Sequence, residues 1–421
     1  MLNKIKSKIK RNSQIARIFG LKISLNQALW DFNPNKKGDS LNNFSFLAAL
    51  AVIEMESEFE ELKQDTKSIK SSKVPVAMRL ETTNTCNLNC PMCDTHSATR
   101  AKGYMSEALF EDALLQGKAM GIDTASLHTI GEPLVHPQIP DFIEIAEKND
   151  FNLRARTNGV LTKRIKSSYK KFSKSFNFLL TSIDSPDKVI YEKIRLGGKH
   201  KDLIESLNYI KDINKDRKDN EKVKIKNKVV ISGDNIFQIK DLIDFYEPYI
   251  EPMEHTFNLA NNMGLNKEYF SEKQEYKNLF RPMKPCNAAF NTLNVLHDGR
   301  VSVCQCREYN GDFVVGSLKE NTLEEIYNGK KAEEFRDSHR TGENIHPTCK
   351  ECLRIYSSVK KLLNYYIYYL WISMPDISSK DMGIMLLDFL TSLDEAIAEE
   401  SIEKVSYLVT SKFMLSPQSL S

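Results

Sequence analysis

VAMRLETT, residues 76–83, runs directly into NTCNLNCPMCDT, residues 84–95. The first stretch is strand-like, and the second sets Cys86, Cys90 and Cys93 four and three residues apart. Three thiolates with no fourth in reach are one short of a closed tetrahedral site. They are soft donors, which favours iron–sulfur chemistry or zinc over hard cations. In a fold of alternating strands and helices, reactive groups collect at the carboxyl ends of the strands. A cysteine cluster just past a first strand sits where that rule puts it.

The chain beyond keeps the alternation. DTASLHTIGEP (123–133), FNLRARTNG (151–159), FNFLLTSID (176–184), KVKIKNKVVIS (222–232) and EHTFNLAN (254–261) read as further strands. Ser106 is placed to cap a helix running to Met120, and QIPDFIEIAEKN (138–149), DLIESLNYIKDI (202–213) and FQIKDLIDFYEPY (237–249) read as helices. About six strand–helix units in series predict an α/β fold with a parallel sheet, a partial (β/α)6 TIM-like barrel.

Flanking this core, residues 1–74 read as a helical N-terminal extension, with SFLAALAVIEMESEFEELKQ (45–64) amphipathic at helical spacing. The core spans 75–280, a small cysteine-bearing domain of turns and short strands spans 281–356, and helices return over 357–421. The aromatic run Tyr365, Tyr366, Tyr368, Tyr369 and Trp371 covers every helical angle, which suits packing better than a ligand groove. Lys+Arg 59 against Asp+Glu 56 leaves +3, which gives no electrostatic footprint for nucleic acid. The basic start carries no apolar run of signal length, and YYIYYLWISM (365–374) is too short to span a bilayer. A cytoplasmic protein without stable membrane insertion is the expectation, and there eight cysteines point to metal or catalysis rather than disulfides.

The C-x3-C-x2-C spacing after the first strand resembles the radical S-adenosylmethionine (radical SAM) superfamily. Four further segments match in order. Met92 occupies the position where that family packs a hydrophobic residue on adenine. TIGEPLVHP (129–137) resembles its GGEP segment, with Ile130 in place of the first glycine. RTNGVLT (156–162) resembles the TNG turn, and LLTSIDSPDKVIYEKIR (179–195) the following strand and helix. The resemblance implies a [4Fe–4S] cluster on Cys86, Cys90 and Cys93, its fourth iron left for S-adenosylmethionine. It assigns cofactor binding to Met92, Gly131, Glu132, Asn158, Ser182 and Arg195, with Glu132 accepting from the methionine ammonium, Ser182 on ribose and Arg195 on the carboxylate. Reductive cleavage would give a 5′-deoxyadenosyl radical that takes hydrogen from substrate. A reductase, flavodoxin or ferredoxin would donate the electron.

Cys286, Cys304, Cys306, Cys349 and Cys352 remain, with Gly299 five residues before Cys304. Gaps of 18, 45 and 3 between Cys286, Cys304, Cys349 and Cys352 resemble the SPASM/twitch extension, and in particular the twitch pattern of 2-deoxy-scyllo-inosamine dehydrogenases. That implies a second, fully ligated [4Fe–4S] cluster, although Cys306 could replace Cys304. A free Cys306 would be either inert or a hydrogen-atom donor to a substrate radical. The substrate is then a small, sugar-like alcohol undergoing oxidation, or a peptide or natural product undergoing maturation or epimerisation. His128 and Arg156 are candidate acceptors of a substrate hydroxyl proton. A zinc-binding interaction protein, with His96 closing the first site, is the non-enzymatic alternative.

Overall fold

Strand β1 (Ala77–Leu80) begins a run of six parallel strands: β2 (Thr124–Ser126), β3 (Asn152–Thr157), β4 (Phe178–Thr181), β5 (Lys224–Ile231) and β6 (His255–Leu259) pair in sequence order. The computed structural model describes residues 44, 47–48, 50–59, 74–161, 176, 178–219, 221–260, 276–282 and 285–413. Parallel neighbours need long crossovers; the helices Glu107–Ala119, Ile139–Lys148, Lys188–Ile194, His200–Lys215 and Ile239–Tyr246 supply four of the five, and the β3–β4 crossover lies largely outside the described residues. The Ser106 hydroxyl accepts from the Leu109 N–H at 3.2 Å, which is the cap expected from sequence. Asp187 caps the helix Lys188–Ile194 in the same way, accepting from Ile190 N–H at 2.9 Å.

Alternation along the strands sorts residues onto two faces. Met78, Leu80, Ala125, Leu153, Ala155, Leu179 and Val229 are buried on the helix side. The sulfur of Met78 lies so near Gly117 of the first helix that a Cβ there would sit 3.0 Å from it. Between them, Arg79, Ser126, Arg156, Leu180 and Lys228 are only partly buried and share the inner face.

Among the described residues, five strands follow β6. β7 (Phe280–Pro282) pairs antiparallel with β11 (Leu353–Ile355), so the chain on either side of the downstream cysteines is brought together. β8 (Thr292–Val295) pairs parallel with β1 from Ala77↔Thr292 to Leu80↔Val295. β9 (Arg300–Ser302) and β10 (Val314–Ser317) then add antiparallel, extending one sheet to nine strands in the order β10-β9-β8-β1-β2-β3-β4-β5-β6. Asp65–Ile355 accordingly forms one compact unit.

Under this junction lies a buried charge. Glu81, fully buried, accepts a bidentate pair from Arg100 Nη1 and Nη2 at 2.8 and 2.7 Å. Thr129 donates its hydroxyl to the same carboxylate, and His297 Nδ1 stands 3.2 Å away. Arg100 Nε in turn donates to the Glu308 carbonyl at 3.0 Å. Burial works against ionisation of Glu81, yet His297, Arg100 and Thr129 together hold its pKa below the ordinary carboxylate value.

The other unit joins a helix at 50–59 to Ser357–Ser373, Ser379–Ala398 and Ile402–Phe413. Glu58 accepts from the Ser357 N–H at 2.9 Å and from Ser358, capping the second of these helices from a distant part of the chain. Tyr365, Tyr366, Tyr368 and Tyr369 are buried there; Tyr366 packs on Phe389 and Phe413. The four tyrosines are therefore core, while Trp371 is half-buried. Among the described residues no helix is long and apolar enough to cross a membrane. For the expected helical extension over 1–74, residues 1–43 and 60–73 lie outside the described residues.

Removing one partner of a buried, bidentate ion pair leaves the other charge uncompensated. Arg100→Met should lower unfolding stability by about 3–5 kcal/mol in urea titration. A loss under about 1 kcal/mol would show that Glu81 is not the keystone of this junction.

Candidate functional site

The turn that carries Cys86, Cys90 and Cys93 is built from the backbone outward. Cys93 N–H donates to the Cys90 carbonyl at 2.9 Å, and Leu88 N–H to Cys86 Sγ at 3.4 Å. Asn89 N–H donates to Leu196 O at 2.7 Å, pinning the turn to the loop after the helix Lys188–Ile194. Asn84 holds the approach with both ends of its amide, donating to Ala101 O and accepting from Gly103 N, each at 2.9 Å. The three sulfurs pack in one apolar cluster with Leu88, Met92, Ile190, Ile194 and Ala260. Met92 packs against the cysteines in this cluster.

Burial pushes the Cys86 thiol up to about 12 and raises Cys90, while Arg195 pulls Cys90 the other way. Arg195 Nη1 is 3.8 Å from Cys90 Sγ, and its Nε donates to Asp184 at 2.7 Å. Burial disfavours the Arg195 charge, but Asp184 and Cys90 raise its pKa overall. Asp184 is fully buried and also accepts from Val230 N–H at 2.8 Å. It escaped the sequence reading because nothing in SID distinguishes a buried anchor from a loop acid.

Gly131 has φ +84°, and a Cβ there would sit 2.7 Å from both the Thr83 and Thr85 carbonyls. Only glycine fits this crossing of two backbones. The next residue, Glu132, donates its N–H to Thr85 O at 2.8 Å and buries its carboxylate. That carboxylate accepts from Thr157 Oγ1 at 2.8 Å, Asn158 N at 2.7 Å and Leu134 N at 3.1 Å. Burial pushes Glu132 up to about 7, against those donors. Asn158 completes the link, its Nδ2 donating to Asn87 Oδ1 at 2.9 Å. Ser182, directly after β4, is half-buried, and no hydrogen bond of its hydroxyl is described.

These residues fit a cluster with one open iron position and a nucleoside beside it. The donor set is three unoxidised thiols in an apolar nest. His96, the one candidate for a closing ligand, is engaged by the Leu88 carbonyl. Asn258, two residues before Ala260, buries an Nδ2 without a partner, a donor left for a ligand. Among the described residues no three His, Cys, Asp or Glu side chains converge on a single metal ion.

The downstream thiols form a second group. Burial first, and neighbouring thiolates after it, raise Cys286 and Cys304 and push Cys349 and Cys352 up to about 12. Cys304 and Cys349 pack on Val303, Phe313 and Ala332. Cys304 Sγ accepts from Arg307 N–H at 3.3 Å. Cys306 acts electrostatically on Cys286, Cys304 and Cys352, and also on Arg79 and Arg156 of the inner face. His128, just past β2, keeps a buried Nδ1 without a partner; burial, Arg156, Arg79 and Lys228 hold it neutral.

Comparison with known proteins agrees with this geometry. Residues 80–246 match the radical SAM superfamily and residues 286–353 the SPASM iron–sulfur cluster-binding domain. The chain thus carries a radical SAM domain and, after it, a C-terminal SPASM domain. [4Fe–4S] clusters and S-adenosylmethionine are its cofactors. It is 28% identical over 134 residues to a 7,8-dihydro-6-hydroxymethylpterin dimethyltransferase of Methanocaldococcus jannaschii, covering 31% of this chain and 25% of that protein. It is 36% identical over 83 residues to a tungsten-containing aldehyde ferredoxin oxidoreductase cofactor-modifying protein of Pyrococcus furiosus, covering 20% and 23%. The chain thus spans about a quarter of the length of these curated relatives. In fold it resembles Streptococcus suis SuiB bound to S-adenosylmethionine, with TM-score 0.50 and 15% identity over 89% of this chain and 86% of that one.

The raised Glu132 pKa has a definite sign. A carboxyl that holds its proton longer when folded contributes stability below its unfolded pKa, and loses it as pH rises through the folded value. Cluster-free protein should therefore lose on the order of 3 kcal/mol between about pH 4.5 and 7 relative to Glu132→Gln. Parallel urea titrations across that range test this; identical slopes for the two proteins would refute it.

Proposed function

We propose that this chain is a radical SAM oxidoreductase acting on a small polar, sugar-like alcohol, with one auxiliary cluster beside the substrate cavity. The observation that carries the reading is the position of the SPASM thiols: Cys306 and Cys304 act on Arg79 at the inner face of the sheet. An oxidation needs an electron acceptor next to the reacting carbon, and this arrangement provides a place for one.

When bound, S-adenosylmethionine on its cluster supplies a 5′-deoxyadenosyl radical that takes a hydrogen atom, and an auxiliary cluster accepts the electron left behind. The protein's own groups do the rest. Cys86, Cys90 and Cys93 hold the first cluster, and Cys286, Cys304, Cys349 and Cys352 hold the second. Met92 and Asn258 bound the nucleoside, with Ser182 on the ribose side. Arg195, fixed by Asp184, offers a guanidinium to the methionine carboxylate. Glu132, anchored by Thr157 and Asn158, presents its carboxylate near Cys86, on which it acts electrostatically. His128 is neutral at physiological pH, so its Nδ1 can take the substrate hydroxyl proton as the carbonyl forms.

A second reading has a specific observation behind it. Cys306 is not needed as a ligand if Cys304 serves, and it acts on the inner-face arginines. A thiol there would return a hydrogen atom to the substrate radical, giving epimerisation instead of oxidation, on a small molecule or a peptide; the Cys306 thiyl left behind would be restored by one electron from the external reductant and one proton from solvent.

Anaerobic turnover with S-adenosylmethionine and reductant in deuterated water separates the two. An oxidised product without solvent deuterium supports the oxidoreductase; deuterium in a product of unchanged oxidation state overturns it in favour of Cys306. Iron analysis should give about eight atoms per chain for two cubanes, and zinc in their place would sink both readings. Cys90→Ala should abolish 5′-deoxyadenosine formation. Cys349→Ala should leave some of it while stopping the complete reaction.

A further inference from the structure

Two guanidiniums on the inner face stand without partners. Arg79 on β1 and Arg156 on β3 flank β2, and their register is fixed: Arg79 pairs with Ser126, and Ser126 with Arg154. Arg156 lies two residues beyond Arg154 on β3, one step of about 6.6 Å nearer its carboxyl end, and His128 lies two residues past Ser126, just beyond β2. Alternation puts Arg79 and Arg156 on the face away from the helices, and both act on His128. From the SPASM segment, Cys306 acts on both arginines.

Neither arginine makes a hydrogen bond or ion pair among the described residues, and burial depresses both, Arg156 to about 10 with Arg79 repelling it. Lys228 of β5 adds a third positive charge acting on His128. Among the described residues no carboxylate features among the groups acting on either arginine; the Cys304 and Cys306 thiols act on Arg79, and Cys306 on Arg156. A buried cation without a counterion is costly; a cluster on Cys304 would answer Arg79 in part, whereas Arg156 is reached only by Cys306 and keeps its charge for a ligand. Guanidinium groups only donate, in a planar fork that matches carboxylate and phosphate oxygens two at a time.

We infer that the substrate of this enzyme carries an anionic group, a carboxylate or a phosphate, seated between Arg79 and Arg156. The inference rests on the proposed radical reaction only for calling the ligand a substrate; the anion site itself does not depend on it. Held there, the anion sets the rest of the molecule beside the unpartnered Nδ1 of His128, between the two cysteine groups. A neutral sugar would leave both guanidiniums unsatisfied, so the site discriminates against it.

The test is calorimetric titration of the cluster-loaded full chain, without reductant, with inorganic phosphate in one arm and malonate in the other. Saturable binding of one anion per chain in at least one arm is expected, and the stronger arm identifies which oxyanion the site prefers. Arg79→Gln and Arg156→Gln should each weaken it about tenfold or more, the loss of one charged hydrogen-bonding partner. Arg156→Lys should lose less than Arg156→Gln. Iron and sulfide content equal to wild type establishes that a variant is folded and loaded; should Arg79→Gln fail this check, the two Arg156 variants decide. No saturable binding in either arm overturns the inference. So does wild-type affinity in the glutamine variants, above all if they shift the potential of the auxiliary cluster, because the arginines would then serve the cluster alone. Reductive cleavage of S-adenosylmethionine by the wild-type protein, measured separately, reports on the radical reading and fails or succeeds independently of these titrations.

Discussion

The carboxylate of Glu81 is the point on which the site depends. It directly follows β1, lies five residues before Cys86, and is fully buried. Its four neighbours come from different parts of the chain: Arg100 after the cysteine turn, Thr129 before the GEP segment, His297 of the SPASM segment, and Glu308 through Arg100. A buried charge tolerates little displacement, because each lost partner exposes the desolvation cost of the rest. The cysteine turn, the GEP turn and the SPASM strands are therefore referred to one atom pair. The close approach at Gly103, where a Cβ would lie 2.6 Å from the His297 ring, locks the same junction sterically.

Around this anchor the two cysteine groups take different surroundings. The first is enclosed by apolar side chains and one cation, Arg195, itself neutralised by Asp184. The second borders a face lined by Arg79, Arg156 and Lys228. Thiols kept protonated by burial must lose their protons to bind iron, so cluster assembly releases protons and draws the local charge downward. The first group changes from nearly balanced to negative on loading, which suits a cofactor that carries a sulfonium. Around the second, the positive surplus is partly offset.

Much of this was legible in the chain itself. Soft ligands at a fixed short spacing define a site without any long-range information, and alternation with helical crossovers located all six strands of the parallel sheet. The Ser106 cap was equally local. Hidden were the facts that need register. Arg79 reads as a polar position in a strand, and only its pairing with Ser126 brings it toward Arg156. Asp184 and Arg100 are ordinary charges until a partner 11 or 19 residues away is known. Residues 281–356 look like an appended segment, because nothing in NTLNV announces that β8 will lie parallel to β1. Long-range strand pairing is decided by the edge available, and sequence does not display edges.

That pairing bears on the order in which the molecule comes into being. His297 and Glu81 are 216 residues apart, and Arg100 and Glu308 208. A nascent chain emerging at about 5–20 residues per second exposes the whole cysteine turn many seconds before the strand that closes over its base. Through that interval Glu81 has Arg100 and Thr129 but not His297, and the edge of β1 is open. The SPASM segment is thus the last piece of the wall around the first cluster as well as the holder of a second, and a chain interrupted before β8 would present three reactive thiols on an unfinished sheet.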